Sequence, residues 1–167
     1  MHKKVVITGF GMATSLGLNV QESWRKALAG QCGITKLTLP LSEMSPVQAV
    51  GEIKAIDMEM IRQEFPYEAE SEGEHRTLFA LWAANEAFKD AGIAYPLPAA
   101  NNYGVSIAAG LGINRPEDIS RWLTDDKDFD VSKFASEYNN THPESIIKNN
   151  THRPSSLIAK KYGLNGI

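Results

Sequence analysis

Cysteine is nearly absent from this sequence: the chain of 167 residues has a single thiol, Cys32. One cysteine excludes both an internal disulfide framework and a paired-cysteine metal or redox site. Histidine is also scarce, and the four histidines are too far apart in sequence for a local zinc motif (His2, His75, His142 and His152). The spacing therefore predicts no metal site, with convergence of distant ligands in space left as the alternative.

Positive charge is limited too, because 17 Lys and Arg side chains face 20 Asp and Glu, which gives a net charge of −3. Nucleic-acid-binding proteins usually have a basic excess that displaces counterions, so no nucleic-acid partner is expected. No segment approaches the roughly 18 consecutive apolar residues that span a bilayer. The apolar run at residues 5–7 breaks at Thr8 and Gly9 with no cleavage site after it, unlike a signal peptide. We expect a cytoplasmic protein with no membrane partner.

The overall amino-acid composition is that of a folded domain. Hydrophobic residues make up 43% of the chain and charged residues 22%, near the average for globular proteins. A chain of this length buries about 70% of its unfolded surface. Residues 1–167 are therefore expected to form one domain.

The first thirty residues predict a strand, a loop and a helix. Residues 5–8 are a short β-branched run ended by Gly9, which is typical of a central strand buried on both faces. Asn19 followed by Glu22 is a capping box for a helix that ends at Gly30. The apolar face of this helix is formed by Val20, Trp24, Ala27 and Leu28.

A longer helix is predicted at residues 75–91, where alanine recurs among larger apolar residues and Gly92 follows. Alanine along a helix permits close packing on a neighbouring segment. Ser71 and Glu74 form a capping box before this helix. The acidic run at residues 64–74 is interpreted as a solvated connection.

A second buried strand is predicted at residues 103–109, and it enters the glycine-rich turn Gly110-Leu111-Gly112. Shorter elements are expected as a strand near residues 47–53 and helices from Pro116 and at residues 131–138. Segments 139–148 and 149–160 are near repeats, each interpreted as a helix start with threonine as the cap and proline in the first turn. The second of these helices ends at Tyr162-Gly163.

Three possible catalytic or cofactor signatures fail on inspection. Gly9-x-Gly11 lacks the third small residue of a dinucleotide fingerprint, because Thr14 stands there. Residues 13–17 lack the first glycine of a hydrolase nucleophile elbow. Cys32 follows the C-terminus of a helix, where the dipole disfavours thiolate, so it is interpreted as structural. The residues predict no cofactor and no catalytic side chain.

Together these landmarks resemble the N-terminal part of the β-ketoacyl-acyl carrier protein synthases, the condensing enzymes of the thiolase-like superfamily. The resemblance covers nearly the whole chain, in the family's order and near its spacing. It rests on residues 5–11 with Gly17, on Trp24, Leu28, Gly30, Gly33 and Ile34, on residues 79–92, on residues 104–112, and on Tyr162-Gly163-Leu164-Asn165-Gly166.

The resemblance implies an α/β, thiolase-like layered fold, of which these residues form the N-terminal half. It places the strands at residues 5–8 and 103–109 side by side in one sheet, with the helix at residues 75–91 packed against it. It also implies that the nucleophilic cysteine, two histidines and a lysine follow this segment. We therefore expect the parent to be a β-ketoacyl-acyl carrier protein synthase of fatty acid or polyketide synthesis, and these 167 residues alone to be inactive.

The turn formed by Gly110, Leu111 and Gly112 is the substrate-binding element that the resemblance implies, because Leu111 matches the apolar position lining the family's acyl pocket. Plain core packing is the alternative role for Leu111. The implied partners are acyl carrier protein, through the parent enzyme, and a second subunit in a homo-oligomer or ketosynthase heterodimer.

Two departures from the family pattern leave a second hypothesis open. Residues 143–145 read Pro-Glu-Ser where elongating synthases place bulky apolar residues, which disfavours a long saturated acyl chain. The run at residues 64–74 is acidic where many relatives present basic residues to the carrier protein. A polyketide-type synthase, or a non-catalytic partner subunit resembling a chain-length factor, is the alternative.

Overall fold

The computed structural model describes residues 4–38, 46–72, 74–95, 97, 100–110, 122–126, 128–137 and 150–166. Helices dominate these residues: α1 Val20–Leu28, α2 Ala55–Glu64, α3 Pro66–Glu72, α4 His75–Asp90, α5 Val131–Glu137 and α6 Arg153–Tyr162. One 3-10 turn spans Ala100–Asn102. Two short strands, β1 Thr35–Lys36 and β2 Ala49–Val50, pair antiparallel with Thr35 opposite Val50. The predictions at residues 111–121 and 138–149 lie outside the described residues.

Local signals define the helix ends. The Asn19 side chain accepts a hydrogen bond from the backbone N–H of Glu22 at 2.7 Å, which caps α1. Helices α4 and α6 end before Gly92 and Gly163, whose φ angles of +66° and +69° favour glycine. The cap of α6 is His152 and not the predicted threonine. The capping box predicted before α4 is wrong, because Ser71 lies inside α3 and Glu74 is the N-cap of α4 without a capping side-chain bond.

The core forms where α4 packs against α2, α3 and α6. Leu81 of α4 and Ile61 of α2 are completely buried. Aromatic rings extend this core: the Tyr162 ring lies 4.6 Å from Phe88 and 4.9 Å from Tyr95 between centroids. The other buried members are Leu18, Met58, Phe65, Leu78, Leu97, Ile158 and Leu164.

The predicted buried strands are not strands in this structure. Val5 is 96% exposed, and Val6 and Ile7 are also exposed. Within the described residues, neither residues 5–8 nor residues 104–109 form backbone hydrogen bonds with a neighbouring strand. The prediction of two paired, buried strands is therefore wrong for this chain, because a β-branched run becomes a strand only when another strand satisfies its backbone.

The acidic run is part of the packed structure and not a solvated connection. Glu68 and Glu72 of α3 are buried. The Glu68 carboxylate lies 2.9 Å from the Lys161 ammonium, and Arg153 binds Glu72 through two hydrogen bonds of 2.6 and 2.7 Å. These ion pairs attach α3 to α6. The earlier interpretation missed them because both cations lie more than 80 positions away in sequence.

Helix α1 turns its polar side inward, contrary to its predicted apolar face. Ser23 is buried and its hydroxyl lies 2.9 Å from the Thr14 hydroxyl, while Trp24 and Leu28 are exposed. The hydrogen bonds of Ser23 with Thr14 and the Gly17 carbonyl fix this orientation. Across the described ranges, no helix is both long and apolar enough to cross a membrane.

Candidate functional site

Residues 103–110 form one extended segment that lies against the helical core. Exposure alternates along it: Val105, Ile107 and Ala109 are half-buried, whereas the residues between them are exposed. Val105 and Ile107 pack on the core. A period of two is the pattern of an extended strand with one covered face. The segment therefore has the geometry of a strand but lacks strand partners in the described structure.

Hydrogen bonds fix both ends of this segment. At its start, the Tyr103 carbonyl accepts a bond from the backbone N–H of Gly166 at 2.7 Å. At its end, the Gly110 carbonyl accepts a bond from Arg76 Nη1, also at 2.7 Å. The connections tie the segment to the chain after α6 and to the first turn of α4.

The Arg76 guanidinium is itself held by Glu74. Arg76 Nε lies 3.0 Å from Glu74 Oε1, and the completely buried Thr77 donates its hydroxyl hydrogen to Glu74 Oε2 at 3.1 Å. The remaining nitrogen, Arg76 Nη2, is buried and has no hydrogen-bond partner. A buried donor without an acceptor is unusual and calls for an explanation beyond packing.

The structure places one of the three predicted substrate-binding residues. Gly110 is exposed at the end of the extended segment, and open space surrounds the position a side chain would take there. Leu111 and Gly112 lie outside the described residues. Sequence reasoning missed Arg76 as a partner of this turn, since the contact joins residues 34 positions apart.

One face of α4 binds the N-terminal loop through residues spaced four apart. Asp90 accepts a hydrogen bond from the backbone N–H of Phe10 at 2.9 Å. The two oxygens of Glu86 accept from the N–H groups of Met12 and Val20, at 2.7 and 2.9 Å. Trp82 donates its indole N–H to the Leu18 carbonyl. Because i and i+4 residues share a helix face, α4 orients the whole loop.

Glycines in that loop lie directly against the alanine ridge of α4. A side chain at Gly9 would overlap Ala87 and Ala91, and one at Gly11 would overlap the backbone of Ala83 and Ala87. The predicted close packing along this alanine-rich helix is confirmed. Glycine is required at both positions because a side chain would overlap α4.

A cavity of about 690 Å³ opens elsewhere, between α1, the short strands and the beginnings of α2 and α4. Its walls include Ser15, Cys32, Thr35, Lys54, Arg62 and His75. Cys32 is exposed and lies outside the core. Lys26, also in the wall, binds Glu22 at 2.6 Å, and this bond lowers the pKa of the Glu22 carboxyl below its ordinary value. No cluster of three or more metal-ligating side chains occurs among the described residues, the cavity walls included.

Comparison with protein families and curated proteins gives concordant results. The family model described as the N-terminal domain of β-ketoacyl synthases matches residues 2–167. The 3-oxoacyl-[acyl-carrier-protein] synthase 2 of Staphylococcus aureus is 34% identical over 111 residues, which are 66% of this chain and 26% of the relative. The enzyme of the same name from Coxiella burnetii is 28% identical over 116 residues, with the same coverage. The matched region thus spans about a quarter of these relatives.

Solved structures match nearly the whole chain. A β-ketoacyl synthase from Burkholderia phymatum has a TM-score of 0.67 at 18% identity, with 99% of this chain and 38% of that chain covered. The ishigamide ketosynthase/chain length factor has a TM-score of 0.64 at 22% identity over 96% of this chain and 38% of that one. A type II polyketide acyl-carrier protein in complex with its ketosynthase has a TM-score of 0.64 at 20% identity. The match covers 97% of this chain and 36% of that chain. These matches show the fold of the ketosynthase N-terminal region, built here mostly from helices.

Proposed function

This chain belongs to the β-ketoacyl synthase family, and we propose that it supplies the N-terminal part of a 3-oxoacyl-[acyl-carrier-protein] synthase. The reaction proposed for the parent is the decarboxylative condensation of an acyl thioester with a malonyl-carrier protein. The observation that supports this most strongly is the family match over residues 2–167. Carrier protein is the proposed partner of the parent, as it is of one related ketosynthase.

The acyl group is proposed to lie beside the turn at Gly110, Leu111 and Gly112. The open space around Gly110 leaves room for a ligand next to the backbone. The half-buried Val105 and Ile107 pack on the core and hold the preceding segment against it. Because a glycine has no side chain, Gly110 leaves space for an alkyl chain beside the end of this segment.

The role proposed for these 167 residues is structural and not chemical. In the family's reaction, a cysteine thiolate takes the acyl group, and histidines assist the decarboxylation that generates the attacking carbanion. The family places these residues after the motif that here is Tyr162-Gly163-Leu164-Asn165-Gly166. We therefore assign no catalytic residue in this chain and expect it to perform no condensation by itself.

The carrier protein is proposed to dock away from residues 64–74. Glu68 and Glu72 are already paired with Lys161 and Arg153, and the run contains no basic residue to attract an acidic carrier. A carrier site on other residues of the parent agrees with both fatty acid and polyketide synthesis.

A partner subunit resembling a chain-length factor is the second candidate. The acidic run at residues 64–74 favours it, because a subunit that receives no carrier needs no basic docking surface. One structural relative is a ketosynthase paired with a chain length factor. The two candidates differ in one residue of the parent, the nucleophile position.

The coding sequence immediately after residue 167 distinguishes these candidates. A cysteine within the next dozen or so codons supports the synthase, whereas glutamine at that position supports the partner subunit. A condensation assay on the purified chain, with acyl thioester and malonyl-carrier protein, tests the structural role. We expect no 3-oxoacyl product, and product above a no-protein control would refute that role.

A further inference from the structure

We propose that Arg76 is a positioning residue that fixes the backbone of the Gly110 turn against the start of α4. The inference rests on the proposed function, in which this turn borders the acyl pocket. Its structural basis is the bond from Arg76 Nη1 to the Gly110 carbonyl at 2.7 Å, which joins α4 to the end of the extended segment.

Glu74 and Thr77 fix the orientation of the Arg76 guanidinium. Glu74 binds Arg76 Nε at 3.0 Å, and the buried Thr77 hydroxyl fixes the Glu74 carboxylate in turn. Because a guanidinium is planar, fixing Nε also fixes the direction of Nη1. A lysine in this place has one compact ammonium group, which cannot bind both acceptors with the same rigid geometry.

Stability alone does not explain this arrangement. Arg76 Nη2 is buried without an acceptor, so the side chain loses hydration that no protein group replaces. A residue present only to stabilise α4 would be better replaced by an apolar one. The arrangement is explained if the orientation of the Gly110 carbonyl is what the side chain provides.

The consequence for the proposed pocket is geometric. The Gly110 carbonyl lies at the end of the extended segment, so the bond from Arg76 fixes the orientation of the backbone at that end. With Tyr103 held by Gly166 at the other end, Arg76 completes a segment fixed at both ends. We infer that Arg76 determines where the backbone of Gly110 lies and thereby how much room an acyl group has beside it.

Nuclear magnetic resonance relaxation of the backbone ¹⁵N nuclei tests this inference on the whole chain, with Val5→Lys and Ile7→Lys in every sample because these two exposed apolar residues favour self-association. In wild type, the amides of Ala109 and Gly110 should be rigid, with order parameters near 0.85, and in Arg76→Met they should fall below about 0.6. Arg76→Lys should restore part of the loss. The matched control is Arg62→Met, because Arg62 is exposed and lies 4.0 Å from Glu59, far from the turn in sequence.

The melting temperature of Arg76→Met distinguishes a local positioning role of Arg76 from a general effect on stability. The inference predicts a local loss of order while the melting temperature of Arg76→Met stays within about 4 °C of wild type. Unchanged order parameters at Ala109 and Gly110 would overturn it, and so would an equal loss of order throughout α4.

A second arm tests the proposed function independently. Acetoacetyl-pantetheine, a short acyl thioester that avoids the long saturated chain disfavoured by residues 143–145, should shift the Gly110 amide resonance of wild type, and the shift should weaken in Arg76→Met. If the probe leaves the wild-type resonance unchanged while Arg76→Met still loosens the turn, the acyl pocket is refuted and the positioning role of Arg76 stands.

Discussion

At the scale of single residues, Tyr162 combines a well-packed ring with an unsatisfied hydroxyl. The residue is 1% exposed, and its ring lies between Phe88 and Tyr95. Its hydroxyl group is buried without a hydrogen-bond partner. Burial, with the nearby Tyr95, Glu64 and Glu68, raises the pKa of Tyr162 above its ordinary value of 10.0. The ring stabilises the core, while the hydroxyl opposes that stabilisation.

Replacing Tyr162 by Phe is therefore expected to leave the stability at pH 7 unchanged or to raise it by about 1 kcal/mol, because an unsatisfied polar group is removed. Since the folded pKa is raised, wild type should lose stability as the pH rises above about 10, by up to roughly 1.4 kcal/mol per pH unit. The variant should lack this tyrosine's share of the loss. Urea unfolding at pH 7 and pH 10.5 measures both effects.

Tyr95→Phe is the matched control for that measurement, because Tyr95 is exposed and contacts the same ring. A Tyr162→Phe variant destabilised by more than about 1 kcal/mol at pH 7 would show that the hydroxyl has a partner after all.

Gly11 is a position where only glycine fits, because α4 leaves no space for a side chain. A methyl group there would overlap the carbonyl of Ala83 on α4. Gly11→Ala is expected to lower the free energy of unfolding by about 1–3 kcal/mol, the usual cost of overpacking. Thermal unfolding followed by circular dichroism measures the change. Gly110→Ala is the control, since no atom lies within 4 Å of its added methyl group. Equal effects in the two variants would contradict close packing at Gly11.

At the scale of elements, the attachment of α3 to α6 depends on an ion pair between the buried Glu72 and the half-buried Arg153. The Glu72 side chain is 2% exposed and binds the Arg153 guanidinium through both oxygens. This contact raises the pKa of Arg153 above its ordinary value. Removing the Glu72 charge leaves the half-buried Arg153 guanidinium without its counter-charge.

Glu72→Gln is expected to destabilise the chain by roughly 1.5–3 kcal/mol, the usual range for hydrogen bonds to a charged group, because the half-buried Arg153 loses its counter-charge. Glu59→Gln is the control, as Glu59 is exposed and lies 4.0 Å from Arg62; its effect should stay below about 1 kcal/mol. Chemical unfolding of the three proteins decides the matter. If Glu72→Gln matched the control, α3 would have to be attached to α6 by apolar packing instead.

Elements whose ends are encoded locally were predictable from sequence, and contacts between distant residues were not. Asn19, Gly92 and Gly163 indicate helix ends correctly because each acts within one turn of chain. The burial of Glu72 depends on Arg153, which is 81 residues away. The contact of Arg76 with Gly110 similarly depends on the path of the chain between them, so the sequence indicated the turn but not the residue that holds it.

At the scale of the whole molecule, the described residues form a helical layer with two strand-like segments that lack a paired strand. Residues 5–7 expose three β-branched side chains, and Phe10 beside them is 55% exposed. Residues 104–109 likewise have no paired strand among the described residues. Sequence reasoning identified both runs as interior strands, and this failed because a local apolar pattern does not show whether another strand pairs with the run. Open backbone edges with apolar side chains favour association.

We expect another chain to cover the unpaired segments at residues 5–7 and 104–109, and sedimentation velocity tests this most directly. Wild type should self-associate at micromolar concentration, whereas the double variant Val5→Lys, Ile7→Lys should remain largely monomeric because charge replaces exposed apolar surface. Tyr67→Lys is the control, as Tyr67 is an equally exposed apolar residue on α3, and it should associate as wild type does. A wild-type chain that sediments as a stable monomer at all concentrations, with a cooperative melt, would contradict the claim.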